Sequence, residues 1–351
     1  MRGDCMVSRQ TQDGDKGTGL EVCRDAELSA LNTLAVPVRA TRLLRVSDPR
    51  LFEAQPPRDG DLVLGGGSNV LFRADFPGSI WLMVNRGIEG VSREENGDLI
   101  RVAAGENWDA FVRWSLEQGY HGLENLILIP GSVGAAPIQN IGAYGVEVER
   151  FIRSVTVWDR RARQFREFSH PECAFDYRDS RFKRERDAFV VTHVNFHLPC
   201  SGEPALEYAG VREELAAMGI DRPEPRAVAR AVEAIRRRKL PDPARLSNAG
   251  SFFKNPVVSA ARAAALQADH AALPVFPLPD GGCKLSAAWL LEQCGLKGWR
   301  RGAAGFAEQH ALVLVNHGGA TGAELWAAAQ EAMARVEAEF GLRLEPEPRI
   351  V

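Results

Sequence analysis

Long apolar runs are missing from the 351-residue sequence, and none approaches the roughly 18 residues that a membrane-spanning helix requires. Residues 1–27 are polar and mix acidic with basic side chains, without the apolar core of a secretory signal, so we expect a disordered tail there. A basic excess is missing too, since the net charge is −3. We therefore expect a cytoplasmic protein with no membrane insertion and no nucleic-acid partner.

Cysteine pairs are also missing. The six cysteines are scattered, with no C-x-x-C spacing and no clustering with histidine, so the sequence predicts reduced thiols and no metal site. Two nucleotide-binding fingerprints are absent as well: G-x-x-x-x-G-K-[ST], and G-x-G-x-x-G at the start of a helix. These absences argue against a P-loop NTPase.

Small residues are concentrated between Gly122 and Gly145, in GLENLILIPGSVGAAPIQNIGAYG. Such residues let the backbone approach a ligand closely, and successive N–H groups in a turn form a concavity that binds anions. A second turn, Gly65–Asn69, follows the apolar run Leu62–Leu64, although alone it is equally consistent with a simple turn. Two such loops indicate a long diphosphate ligand. The predicted cradle consists of Gly65, Gly66, Gly67, Ser68, Asn69, Gly131, Ser132, Val133, Gly134, Ala135, Gln139 and Asn140.

Hydrophobic periodicity predicts short strands and amphipathic helices. Asn107 is expected to cap a helix, and Pro225 to begin another. Thr321 and Glu324 form a capping-box pair for a last helix that Gly341 ends. Strands are predicted at residues 43–46, 62–64, 80–84, 99–104, 153–158, 189–198 and 311–315.

Two longer segments, LGGGSNVLF (Leu64–Phe72) and GLENLILIPGSVGAAPIQNIGAYGVEV (Gly122–Val148), together resemble the UDP-N-acetylenolpyruvoylglucosamine reductase family, called MurB. The resemblance extends from about Leu28 to the end of the sequence. Three later segments agree with it in the family's order: YRDSRFK (Tyr177–Lys183), KLPDPARLSNAGSFFKNP (Lys239–Pro256) and LEPEPRI (Leu344–Ile350).

The resemblance implies an α+β fold, with a two-part FAD-binding region of the vanillyl-alcohol-oxidase/PCMH-like type and a smaller α+β substrate-binding domain. We expect FAD-binding subdomains at residues 28–84 and 85–240, after the disordered tail at 1–27. The substrate-binding domain is expected at 241–341, and a segment at 342–351 is expected to return to the flavin site. Alternating Leu342 and Leu344 suggest that an edge strand carries Glu347 in that last segment.

The activity that the resemblance implies is reduction of the enolpyruvyl ether of UDP-N-acetylglucosamine in peptidoglycan precursor synthesis. NADPH would reduce a non-covalently bound FAD, which then supplies a hydride to the vinyl carbon of the substrate. Negative charge develops on the neighbouring carbon and its carboxylate, so the protein must stabilise charge and deliver one proton. We expect a monomer whose partners are NADPH and the UDP-sugar.

Matching the family's segments residue by residue gives three catalytic candidates. Arg178 would hold the carboxylate, because a guanidinium makes two parallel hydrogen bonds and keeps its charge. Ser251 would donate the proton, and Glu347 would assist at the reacting carbons. Taken without the family's segments, these residues would be read as a surface ion pair, a turn or cap residue, and an exposed tail residue.

Three further positions match substrate-contacting residues of the family. Asn255 and Tyr208 correspond to positions that contact the diphosphate, Lys239 corresponds to a lysine that contacts the substrate, and we expect all three to bind the diphosphate. Tyr208, in EYAG, would mark the subtype in which a loop tyrosine covers the substrate. Because the net charge is −3, a diphosphate must be met by local donors such as these.

Two other functions are consistent with parts of the sequence. A flavin-linked oxidase of the same superfamily would use oxygen as acceptor and often tethers FAD through histidine or cysteine; His121 lies just outside the cradle. A nucleotide-binding module without catalysis is the second alternative, and retention of the three catalytic candidates argues against it.

Overall fold

The computed structural model describes residues 20–208 and 210–351. Its strands are β1 (Leu20–Glu27), β2 (Arg39–Val46), β3 (Leu62–Leu64), β4 (Val70–Leu71), β5 (Phe76–Met83), β6 (Ile88–Glu94), β7 (Gly97–Ala103), β8 (Gly142–Ala143), β9 (Val146–Glu147), β10 (Ile152–Asp159), β11 (Gln164–Ser169), β12 (Phe189–Pro199), β13 (Ser247–Ser251), β14 (Val257–Ser259), β15 (Val275–Pro277), β16 (Gly282–Leu285), β17 (Arg300–Arg301), β18 (Ala304–Phe306), β19 (Val313–Asn316) and β20 (Arg349–Ile350). Its helices are α1 (Trp108–Glu117), α2 (His170–Cys173), α3 (Arg181–Arg184), α4 (Val211–Ala217), α5 (Pro225–Lys239), α6 (Ala260–Asp269), α7 (Ala287–Gln293) and α8 (Gly322–Phe340).

The chain divides into two compact units. The first contains residues up to Glu27 together with Arg39–Gly66 and Phe76–Ala205. It holds a mixed sheet in the order β1-β2-β5-β3, where β2, β5 and β3 run parallel, and an antiparallel sheet in the order β11-β10-β12-β7-β6. The fully buried rings of Phe52 and Trp158 lie in its core, with centroids 6.1 Å apart.

The start of the described chain differs from the prediction of a disordered tail over residues 1–27. Leu20–Glu27 form β1, which pairs antiparallel with β2 from Leu20–Val46 to Glu27–Arg39. The polar composition that suggested disorder is that of an edge strand, since β1 has only one neighbour in its sheet. Residues 1–19 lie outside the described residues.

Helix α1 has the cap and the buried face that its sequence predicts. The side chain of Asn107 accepts a hydrogen bond from the backbone N–H of Ala110 at 2.9 Å. Trp108, Phe111 and Val112 are buried on the face that the spacing indicates. Strands β3, β7, β10 and β12 match their predicted positions to within a residue or two, whereas β2 and β5 begin earlier, at Arg39 and Phe76.

The second unit contains Leu28–Val38, Gly67–Asp75 and Leu206–Val351. Its sheets have the orders β13-β19-β18-β17, β14-β16-β15 and β20-β4. Helix α8 begins with the predicted capping box, in which Thr321 and Glu324 exchange hydrogen bonds, and ends at Gly341 in a left-handed conformation with φ of 61°. Its buried side chains include Leu325, Val336 and Phe340.

The C-terminal segment is held differently from the predicted edge strand. Leu342 and Leu344 are buried between exposed neighbours, as the alternation indicates, but residues 342–345 form no strand. Pro346 makes a single bridge to Phe253, and the only strand here is β20, which pairs in parallel with β4. Pro346 and Pro348 lack the N–H groups that a continuous ladder requires.

Candidate functional site

The two glycine-rich turns meet inside the first unit. A Cβ atom on Gly66 would lie 2.8 Å from the Cα of Gly131, and a Cβ on Gly65 would overlap the hydroxyl of Ser132. The backbone of Gly131 leaves no room for a side chain at Gly66, so glycine is required there, whereas at Gly65 only the Ser132 hydroxyl would have to move. The two turns therefore lie in contact at Gly65, Gly66, Gly131 and Ser132, and that these residues hold the cofactor stays a prediction.

Part of the predicted cradle uses its backbone donors inside the protein. The N–H of Val133 donates to the carbonyl of Glu106 at 2.9 Å, and that of Gly134 to Ala104 at 2.9 Å. The N–H of Ala135 donates to Ser132 at 3.1 Å. Gly134 also packs so closely that a Cβ would lie 2.5 Å from that of Ala104. These residues shape the loop, and their N–H groups are not the ones that point to a ligand.

Four other backbone donors in the same place remain for an anion. Within the described part of the first unit, the N–H groups of Gly65, Gly66, Gly131 and Ser132 donate to no protein acceptor. Gly131 has φ of 131°, a conformation that glycine adopts without strain. A cluster of unpaired N–H groups between two closely approaching turns fits one diphosphate, and hence fits FAD.

The remaining residues of the first turn belong to the second unit. Gly67 has φ of 62°, and a Cβ there would overlap the carbonyl of Leu31. Ser68 is half-buried. Asn69 donates from Nδ2 to the carbonyl of Glu347 at 3.3 Å, so this side chain anchors the C-terminal segment. The predicted cofactor contacts of Gly67, Ser68 and Asn69 stay predictions.

At the other end of the cradle, Gln139 is half-buried and Asn140 is fully buried. Asn140 donates from Nδ2 to Glu147 Oε2 at 3.0 Å and to the carbonyl of Asp176 at 3.2 Å. Its Oδ1 accepts from the N–H of Glu149 at 3.1 Å. Both amide hydrogens of Asn140 are therefore used within the protein, which differs from the predicted role as a diphosphate donor.

Arg178 lies in a tight turn that Asp176 and Asp179 close with reciprocal backbone hydrogen bonds of 3.1 and 3.0 Å. Its φ of 52° is in the left-handed region, which is uncommon for arginine. The guanidinium donates to the carbonyl of Gly142 at 2.5 Å and to that of Asn140 at 3.4 Å. Glu147 lies 3.9 Å away, and the Arg178 side chain is only 18% exposed. The guanidinium is therefore fixed in orientation.

The rest of the YRDSRFK segment supports that turn. Lys183 donates from Nζ to the carbonyl of Arg178 at 2.9 Å. Ser180 is fully buried, donates to the carbonyl of Ile138 at 2.6 Å and caps α3 by accepting from the N–H of Lys183. Glu147, Gly142 and Lys183 also contact Arg178, and no sequence signal predicted this, although all three lie in the segments that resemble the family.

Ser251 ends strand β13 and pairs with Val313 of β19 across an irregular step in the ladder. Gly250 before it has φ of 70°, and its N–H donates to Asn248 Oδ1 at 2.9 Å. Ser251 is half-buried. Among the residues that the structure describes, its hydroxyl has no hydrogen-bond partner in the protein, so it is available to a bound molecule.

Glu347 is half-buried, and its backbone lies beside that of Phe252, the residue after Ser251. The N–H of Glu347 donates to the carbonyl of Phe252 at 2.8 Å, and Lys254 donates from its N–H to Glu345 at 2.9 Å. Lys254 Nζ adds an ion pair to Glu345 at 2.6 Å. Ser251 and Glu347 thus lie in one unit, where the backbone of Glu347 is bonded to the residue that follows Ser251, whereas Arg178 lies in the other unit.

The predicted diphosphate contacts all lie in the second unit. Asn255 accepts at Oδ1 from the N–H of Ala287 at 2.9 Å, which fixes the amide so that Nδ2 is left as a donor. Lys239 ends α5 and is exposed. Burial lowers the pKa of the nearby His310, and the positive charge of Lys239 lowers that pKa further. Tyr208 is 47% exposed at the start of the turn before α4.

A buried carboxyl stands out in the GLENL segment. Glu124 is 1% exposed and accepts from the N–H of Gly122 at 2.6 Å. Burial raises the pKa of Glu124.

Within residues 20–208 and 210–351 there is no group of three histidine, cysteine or acidic side chains that could hold a metal ion. No helix in those same ranges is long and apolar enough to cross a membrane.

Comparisons with known proteins agree over most of the chain. Residues 242–351 match the family model of the UDP-N-acetylenolpyruvoylglucosamine reductase C-terminal domain, and residues 61–166 match the FAD binding domain. The chain is 50% identical to the UDP-N-acetylenolpyruvoylglucosamine reductase of Azoarcus sp. (strain BH72), covering 95% of this chain and 98% of the relative. It is 49% identical to that of Xanthomonas euvesicatoria pv. vesicatoria (strain 85-10), covering 95% and 97%.

A solved structure shares the fold. The crystal structure of UDP-N-acetylenolpyruvylglucosamine reductase (MurB) from Thermus caldophilus superposes with a TM-score of 0.63 at 24% identity, covering 94% of this chain and 98% of that one. The predicted α+β fold class and the predicted FAD cofactor are confirmed. The chain belongs to the UDP-N-acetylenolpyruvoylglucosamine reductase family.

Proposed function

We propose that this chain is an NADPH-dependent oxidoreductase that reduces the enolpyruvyl ether of UDP-N-acetylglucosamine to UDP-N-acetylmuramate. Membership of the family, at 50% identity over 95% of the chain, is the observation that carries the proposal. The placement of Arg178 and Ser251 supports it independently, because each side chain has the environment that its role needs. Bound FAD would supply the redox chemistry, taking a hydride from NADPH and passing one to the vinyl carbon.

The four unpaired N–H groups of Gly65, Gly66, Gly131 and Ser132 would hold the FAD diphosphate. Neutral amide donors stabilise a diphosphate without a mobile counter-charge, and the close approach of the turns excludes side chains from the contact. No histidine or cysteine lies within the cradle segment, which is consistent with a non-covalent cofactor.

Arg178 would hold the substrate carboxylate. As the hydride adds to the terminal vinyl carbon, the electron pair of the double bond moves toward the neighbouring carbon and its carboxylate. A guanidinium already fixed by Gly142, Asn140 and Glu147 stabilises that charge without reorganising. Removing one such donor typically costs about 10²–10³ in rate.

Ser251 would then deliver a proton from Oγ to the carbanionic carbon, completing reduction of the double bond, and would recover its proton from water. A hydroxyl is a weak acid, but a carbanion is a strong enough base to accept its proton. Glu347 would orient the reacting group or share in proton movement, since its backbone lies against Phe252, beside Ser251.

Lys239, Tyr208 and Asn255 would bind the diphosphate of the UDP-sugar. The fixed Nδ2 donor of Asn255 and the exposed ammonium of Lys239 suit that dianion. We also propose that the enzyme acts in the cytoplasm, where its nucleotide-sugar substrate and NADPH are found, and that it acts as a monomer.

The test uses purified full-length protein. We expect a visible flavin spectrum, release of free FAD by heat or acid, and NADPH oxidation that depends on the enolpyruvyl substrate and yields UDP-N-acetylmuramate. A colourless protein that takes up no FAD, or one that oxidises an alcohol with oxygen and ignores the UDP-sugar, would overturn the proposal. Lys239→Ala should mainly raise KM for the UDP-sugar, and an unchanged KM would remove Lys239 from the substrate site.

A further inference from the structure

The guanidinium of Arg178 is held by a small set of groups from one stretch of chain. Its two terminal nitrogens donate to the carbonyls of Asn140 and Gly142, and the carboxylate of Glu147 lies 3.9 Å away. Gly142 and Glu147 are partners in the β8–β9 hairpin. The orientation of Arg178 therefore depends on where this hairpin and the turn at Asp176 are placed.

Asn140 joins those two pieces. Its amide nitrogen donates to the Glu147 carboxylate at 3.0 Å and to the carbonyl of Asp176 at 3.2 Å. Asp176 is one of the two residues that close the Arg178 turn. The same side chain receives the N–H of Glu149 at 3.1 Å. Asn140 is fully buried and has φ of 44°, a left-handed conformation that asparagine tolerates better than most residues.

We propose that Asn140 is a positioning residue for Arg178 and makes no side-chain contact with the cofactor. Its amide holds the Glu147 carboxylate against the guanidinium and ties the turn to the hairpin, while its own carbonyl accepts from Arg178. Both donors of the amide are spent on the protein, so none serves a diphosphate. The inference rests on the role proposed for Arg178 and adds to it the residue that sets its direction.

The test compares Asn140→Ala and Glu147→Gln, each alone and combined with Arg178→Ala. Glu147→Gln alters the same link at a half-buried position, so the link is testable even if Asn140→Ala does not fold. Asn195→Ala is the control, because Asn195 is a buried residue of the same unit whose amide donates to Ser154 and Glu167. Three quantities are measured: bound FAD, the rate of flavin reoxidation by the enolpyruvyl substrate, and the Kd of UDP-N-acetylmuramate by calorimetry.

Each single variant should retain FAD, slow reoxidation by about 10- to 100-fold, as misplacement of a catalytic group does, and weaken binding of the carboxylate-bearing product. Neither variant should have a further effect once Arg178 is alanine. Asn195→Ala should lower thermal stability and leave rate and Kd unchanged. Loss of FAD, or effects that persist in full in the Arg178→Ala background, would overturn the positioning role. If Arg178→Ala itself leaves rate and Kd unchanged, the proposed function of Arg178 fails instead.

Discussion

The Arg178 turn and the Ser251 strand differ in how many hydrogen bonds the protein makes to the side chain that each carries. The guanidinium of Arg178 is 18% exposed and bonded to two carbonyls, within a turn that Lys183 and Ser180 also support. In the described residues, the hydroxyl of Ser251 has no protein partner, although its backbone is fixed by the pairing with Val313. A group that stabilises charge must be immobile, whereas a group that gives up a proton must be able to turn toward its acceptor and then toward water.

Of the substitutions that test this difference between Arg178 and Ser251, Ser251→Ala should have the largest effect. We expect reoxidation of the flavin by the enolpyruvyl substrate to fall roughly 10²–10⁴-fold, because positioned proton transfer is lost. Reduction by NADPH should be nearly unchanged, since no proton from Ser251 is needed there. Stopped-flow absorbance separates the two steps. Ser247→Ala, in the same strand, is the control, and equal losses in both steps would mean that Ser251 is structural.

Arg178→Lys tests the immobile side of the comparison. A lysine keeps the charge but cannot make the paired bonds of a guanidinium or reach both the Asn140 and Gly142 carbonyls. We expect reoxidation to fall about 10²–10³-fold. The FAD content, measured by absorbance, should be unchanged. Near-normal reoxidation in this variant would show that charge alone suffices and that the rigid mounting is incidental.

Glu347→Gln keeps the shape of the side chain and removes its charge. Hydrogen bonds to charged groups contribute about 1.5–3 kcal/mol, so we expect reoxidation to slow about 10- to 100-fold at constant FAD content. The backbone bond from Glu347 to Phe252 is unaffected by this change. Wild-type turnover in steady-state assays would mean that Glu347 only anchors the segment.

Gly142→Ala alters the mounting of Arg178 without touching the arginine. A Cβ there would lie 2.9 Å from Nη1 of Arg178 and 2.9 Å from Cγ of Glu147, so the guanidinium must shift. We expect about a 10-fold slower reoxidation with unchanged flavin reduction. Gly90→Ala, where the new methyl group meets nothing within 4 Å, is the matched control. Identical rates for the two alanine variants would contradict the mounting argument.

The smallest effect is expected for Glu345→Ala, which removes the ion pair with Lys254 next to the Ser251 strand. The Glu345 side chain is 67% exposed, so the pair contributes at most about 1 kcal/mol to the free energy of unfolding. Denaturant unfolding measures this, and both half-reactions should be unaffected. A marked loss of reoxidation would show that side chains, and not backbone pairing, hold the C-terminal segment.

Local signals in the sequence predicted much of the fold. Asn107, Thr321 and Gly341 mark helix ends through bonds to nearby backbone, and such contacts are visible in a short window of sequence. Two strand pairings were not predicted: β1 with β2, and β20 with β4. The mostly polar β1 lacks the hydrophobic alternation that identifies a strand, and β4 and β20, with two residues each, are too short to show a pattern.

For the candidate site, the sequence predicted which residues to consider, and their roles stay predictions, but it did not predict the hydrogen-bond partner of each polar atom. The cradle residues Gly65, Gly66, Gly131 and Ser132 do come together, yet Val133 and Gly134 spend their N–H groups on Glu106 and Ala104. Asn140 has an amide of the kind that often donates to a ligand, but its amide hydrogens donate to Glu147 and to the carbonyl of Asp176. Which acceptor a donor meets depends on tertiary contacts that composition does not encode.

The anchoring of the C-terminal segment on Asn69 has a consequence for the order of folding. The bond from Asn69 to Glu347 joins residues 278 positions apart, and the bond from Asn316 to Leu34 joins residues 282 apart. Contacts this remote close slowly, because loop entropy is lost before any contact energy is returned. Early segments at Leu28–Val38 and Gly67–Asp75 must therefore wait for partners made almost a whole chain later. During synthesis, the second unit therefore stays incomplete until its C-terminal residues leave the ribosome.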